Sequence, residues 1–78
     1  MSFLTQPGAP LYRAQLQAQA LHAWREAEQL VCERWSSYRA AGRDTRTGAF
    51  AAYLAALDAE ALAAHELAIH FTDLQAVA

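Results

Sequence analysis

Tyr38-Arg39-Ala40-Ala41-Gly42-Arg43-Asp44-Thr45-Arg46-Thr47-Gly48-Ala49-Phe50 holds the only turn signal between Leu11 and Gln75. Gly42 follows a helix-compatible run and suits the left-handed position just past a helix end. Asp44 or Thr45 can then cap a second helix, with Gly48 tolerated inside its first turn. Upstream, Pro7, Gly8 and Pro10 punctuate the chain. A residue before proline avoids the helical region, whereas proline itself suits the first helical turn. Nothing from Leu11 to Ala41 breaks a helix. The expected fold is all-α, an antiparallel hairpin of two long helices forming one domain over 1–78. It has an irregular arm at 1–9, helix 1 over 10–41, a turn at 42–45 and helix 2 over 45–75. The short loop makes the helices antiparallel neighbours.

The faces of each helix follow from 3.6 residues per turn. Helix 1 gathers Tyr12, Leu16, Ala20, Ala23, Trp24, Ala27, Leu30, Val31, Trp35 and Tyr38 on one broad side. On helix 2, Phe50, Leu57, Ala64 and Phe71 recur every seven residues, with Tyr53, Leu67 and Leu74 to one side and Leu54, Ala61 and Ala68 to the other. A seven-residue repeat favours gently left-handed packing. Folding about the turn brings Tyr38 near Phe50, Leu30 near Leu57 and Leu16 near Phe71. Ala20, Ala23 and Ala27 would then face Ala61, Ala64 and Ala68, giving a narrow waist between bulky ends.

A hairpin has one seam, and the apolar residues outnumber the places on it. Leu21, Trp24 and Trp35 sit at the edge of the helix 1 stripe. Leu62 and Ile69 lie well off that of helix 2. A chain of 78 residues with a single cysteine, Cys32, has no internal disulfide to lean on, and domains this small usually need a disulfide, a metal or a partner. The expectation is a homodimer forming a four-helix bundle, with Leu21, Trp24, Val31, Trp35, Leu62 and Ile69 at the dimer or partner interface. Arg34 falls near the centre of the helix 1 apolar face and Glu60 interrupts that of helix 2. A buried charge must be paired, so these two are candidates for a register-setting pair.

Six arginines, no lysine and eight acidic residues leave a net charge of -2, which disfavours a generic nucleic-acid binder. Arg39, Arg43 and Arg46 cluster at the turn and form a basic patch that a dimer would present at two tips. Twenty alanines, with arginine as the sole basic residue, suggest a bacterial or bacteriophage origin. Met1 to Ala9 lacks a basic start and an apolar stretch, so no signal peptide is expected. Asp58, Glu60 and Glu66 interrupt the most apolar region, which fails as a membrane span. A free thiol suits a reducing compartment, and a cytoplasmic location is expected.

Chemistry-bearing motifs are absent. His65-Glu66-Leu67-Ala68-Ile69-His70 lies near the zinc-protease signature, but its histidines are five apart, about 140° round a helix, and cannot chelate one metal. Glu66 with His70, and His22 with Glu26, have the spacing of helix-surface pairs. Cys32 has no group to activate it, and Ser36 and Ser37 have no triad partners. No enzyme activity and no cofactor are expected. In outline the hairpin resembles the small secreted WxG-type hairpins. Those place Trp-x-Gly in the turn, whereas Trp35-Ser36-Ser37 lies inside helix 1, so these residues do not carry that family. The expected function is a small protein-binding regulator or inhibitor acting as a dimeric hairpin, with Phe3 and Leu4 of the arm as further contacts. The alternatives are a nucleic-acid-associated dimer using its arginine tips, or a structural subunit of a larger assembly.

Overall fold

Two helices pack side by side as a hairpin in the computed structural model, which describes residues 8–77 and their side chains over 11–71. Helix α1 spans Gly8–Ala40 and α2 spans Arg46–Val77. Phe3, Leu4 and the side chain of Leu74 lie outside the described residues. Helix α1 begins two residues ahead of Pro10, which therefore sits in the first turn, where its missing N–H is no loss.

The turn differs from the expected one. No glycine among the described residues has positive φ, so Gly42 is not a left-handed cap. Instead α1 tightens at its end, with the Ala41 amide donating to the Tyr38 carbonyl at 3.2 Å, and the Thr45 amide then donates to the Gly42 carbonyl at 3.2 Å. The Thr45 carbonyl accepts from the Ala49 amide at 3.0 Å, which makes Thr45 the residue that starts α2. Its hydroxyl turns back and donates to the Gly42 carbonyl at 3.5 Å. Three backbone bonds thus close the loop without special dihedral angles.

Gly48 lies in the first turn of α2, and a β-carbon there would meet nothing within 4 Å. Glycine inside a helix costs about 0.5–1 kcal/mol relative to alanine. Gly48→Ala should therefore raise the thermal midpoint by an amount equivalent to about 0.5–1 kcal/mol. A lowered midpoint would show that this turn needs the smaller residue.

The seam is where structure and sequence pattern part. On α1 the half-buried residues include Gln17, Ala20, Leu21, Trp24, Ala27, Val31 and Tyr38. On α2 they are Ala49, Ala52, Tyr53, Ala56, Glu60, Ala63, Ala64, Leu67 and His70, with Ala56 the most buried at 4% exposed. The expected α2 stripe is instead largely outside the seam: Phe50, Leu54, Leu57 and Phe71 are 36–44% exposed, and Ala61 and Ala68 are exposed. Helix α2 is rotated by about 90° from the expected orientation.

Size matching accounts for the rotation. Trp24 and Glu60 are in contact, as are Tyr38 and Phe50, and on that register Val31 comes level with Ala56 and Trp24 with Ala63. Large side chains on α1 require small ones opposite if two backbones are to run close together. The ladder of Ala49, Ala52, Ala56 and Ala63 supplies them, and one led by Phe50 and Leu57 does not. Ala23, expected at the waist, is exposed because α1 also turns slightly toward Trp24.

The molecule measures 64 × 20 × 14 Å, with a radius of gyration of 18.1 Å, against about 11.5 Å for a compact domain of this length.

Candidate functional site: an unpartnered apolar face

The ladder of α2 that runs beside the seam, touching α1 through Phe50 and otherwise largely open, is Phe50, Leu54, Leu57, Ala61, Ala64, Ala68 and Phe71. Its spacing alternates four and three residues over three heptads, the pattern of a helix that packs along one partner. Ala64 alone among these is half-buried. Leu62, at 69% exposed, and Ile69, at 44%, widen the apolar surface beyond His65. Contiguous patches of this kind mark interaction surfaces on stable proteins. The whole chain exposes 6181 Å², whereas a compact protein of its mass would expose about 4,700 Å².

The residues expected at an interface divide. Leu62 and Ile69 are exposed. Leu21 and Val31 are half-buried in the hairpin itself. Trp24 is not at the edge of its stripe: it lies in the seam, where its indole Nε1 donates to Glu60 Oε1 at 3.3 Å across the two helices. Trp35 remains 43% exposed but is tied into the hairpin by Tyr38 and Tyr53, with ring centroids 5.7 and 5.1 Å away.

The premise for an Arg34–Glu60 pair does not hold in the single chain. Arg34 is exposed rather than central to a buried face, and Glu60 accepts from Trp24. Arg34 lies on the flank of α1, where its long side chain reaches water. Arg34→Met should leave mass and thermal midpoint unchanged within about 0.5 kcal/mol. A larger loss of stability would reveal a carboxylate partner from another chain.

Of the three turn arginines, Arg43 and Arg46 line an open cleft of about 450 Å³ with Tyr38, Thr47 and Phe50, whereas Arg39 stands apart from it. No carboxylate lies within ion-pair distance of these arginines among the described residues. At the other end of the seam, the Gln17 amide donates to the His70 carbonyl at 3.4 Å. His22 and Glu26 form an exposed pair one turn apart. Cys32 is exposed, His65 is exposed and His70 half-buried. No group of three or more potential metal ligands occurs among the described residues, and no helix is long and apolar enough to cross a membrane.

The feature that sequence periodicity misses is which ladder faces outward. Its signal is present in the sequence: two apolar ladders lie side by side on α2, one rich in alanine and one bulky. Comparison with protein-family models, with curated proteins and with solved structures gave no match.

Proposed function

We propose that this chain is a non-enzymatic protein-interaction module that dimerises into a four-helix bundle and, as a dimer, docks on another protein to regulate or inhibit it. The observation that carries this reading is the open ladder of α2: Phe50, Leu54, Leu57 and Phe71 are each more than a third exposed, while among the described residues only Ala56 is buried. A specific interface removes about 800 Å² per partner, and obligate ones more. The surplus of about 1,500 Å² over a compact protein is of that size. Leu62 and Ile69 flank the ladder and supply anchors for a further partner helix. In a reducing cytoplasm, which this reading favours, Cys32 stays a free thiol.

Light scattering tests it, with Leu62→Asp as the companion variant. The wild type should have the mass of a dimer. Leu62 is exposed in the single chain, so its replacement leaves the helices formed. If Leu62 lies within the dimer interface the mass falls; if it serves the second partner the mass holds and partner binding is lost. A wild type that is a folded monomer at micromolar concentration ends the dimeric reading.

A second reading rests on the cleft at the turn, where two arginines with no carboxylate partner among the described residues flank two aromatic rings. Such a tip suits an anionic partner, nucleic acid included. Any binding of this kind should weaken steeply with salt, and no binding to duplex DNA at low salt removes that form of it.

A further inference from the structure

We infer that the second copy packs antiparallel, α2 against α2, with the two-fold axis passing near residue 59. This rests on the dimeric reading and adds an orientation, a register and an occupant for the cleft at the turn. The ladder is unequal along its length. Phe50, Leu54 and Leu57 make its first half bulky, while Ala61, Ala64 and Ala68 make its second half small.

Parallel pairing would set each residue against itself. The bulky halves would hold the axes apart, and the alanine halves would then face each other across a void. Helix axes lie 8–10 Å apart depending on the side chains between them, and both crowding and voids are destabilising. Reversing one helix resolves the mismatch. Leu57 then comes level with Ala61 of the second copy, Leu54 with its Ala64 and Phe50 with its Ala68. Large meets small in every layer, and the two-fold makes each contact occur twice.

The same register accounts for Phe71. It is 44% exposed in the single chain and comes level with Thr47 of the second copy. Thr47 lines the cleft with Tyr38, Phe50, Arg43 and Arg46. An incoming phenyl ring finds two aromatic rings to pack on and guanidinium groups to lie over its face. Two such clefts at opposite ends of the dimer would each receive one Phe71.

Spin labels on single cysteines test the arrangement in the full chain, with Cys32→Ser as background. Ala51 and Asp58 are exposed and flank the ladder, so labels there leave the seam intact. In the antiparallel dimer the two labels at Asp58→Cys lie within about 15 Å, while those at Ala51→Cys stand at least about 25 Å apart. Phe71→Ala should weaken self-association about tenfold or more with helicity retained. A dimer whose labels are close at both positions overturns the orientation but leaves self-association standing. A monomeric mass for the unlabelled protein overturns both. Unchanged self-association in Phe71→Ala removes the cleft contact.

Discussion

Replacing Leu54 and Leu57 together by glutamate should convert the protein to a monomer with both helices still formed. Neither residue belongs to the hairpin seam: they are 44% and 36% exposed in the single chain. Fully burying an exposed leucine is worth about 1.5–3 kcal/mol, and a partner would cover the two-fifths of each that the single chain leaves open. A two-fold interface buries four of them, so the double variant forfeits about 2.5–5 kcal/mol, and desolvating four like-charged carboxylates in their place costs several kcal/mol more. A micromolar dimer has only about 8 kcal/mol of association free energy. Light scattering should therefore report the monomer mass at every accessible concentration. Thermal melting sharpens the test. The wild-type midpoint should rise with protein concentration, as it does when association stabilises the folded state, and the variant's midpoint should be lower and independent of concentration. An unchanged mass in the double variant would mean that this ladder is not the self-association surface.

The sequence pattern puts that ladder on the inside of the hairpin. The two helices, their antiparallel relation and their register are all legible from the pattern: Tyr38 does meet Phe50, with centroids 5.3 Å apart. What periodicity cannot choose is the rotation of α2. Phe50, Leu54, Leu57, Ala61, Ala64 and Ala68 form one ladder. Displaced by a single residue, Ala49, Tyr53, Ala56, Glu60, Ala63 and Leu67 form another. A hydrophobicity count favours the bulky ladder, because Glu60 places a charge in the alanine-rich one.

Packing reverses that preference for two reasons. Small residues permit the close approach that Trp24 and Val31 require, and the seam is shallow enough for Glu60 to meet the Trp24 indole at its edge. The same preference misplaces Trp24, whose ring is large enough to pass for surplus and is in fact central. It also gives Arg34 a buried role that its exposed position on the flank of α1 does not require. A pattern of apolar positions locates faces, whereas the volumes opposite one another decide which face closes. Among the described residues no third element packs on the two helices to correct that choice.

Trp35→Ala should destabilise the hairpin by about 3 kcal/mol. Four aromatic rings close a cycle at the turn end: Trp35 meets Tyr38 at 5.7 Å and Tyr53 at 5.1 Å, Tyr38 meets Phe50 at 5.3 Å, and Phe50 meets Tyr53 at 6.5 Å. All four pairs are tilted rather than stacked. Two rings come from each helix, so the cycle clamps α1 to α2 just above the loop. Removing Trp35 opens two of the four contacts. Aromatic pairs contribute about 0.5–1.5 kcal/mol each beyond the area they bury, and the lost area of a large ring that is 43% exposed adds a comparable amount. Domains of this size rarely hold more than about 3–5 kcal/mol, so the variant should be largely unfolded as a monomer and rescued only in part by dimerisation. Urea unfolding followed by circular dichroism measures the loss. Trp35→Phe, which keeps a ring at the same place, should retain more than half of the stability. Equal denaturation midpoints for Trp35→Ala and the wild type would show that the turn end is held by its backbone bonds alone, those of Ala41, Thr45 and Ala49.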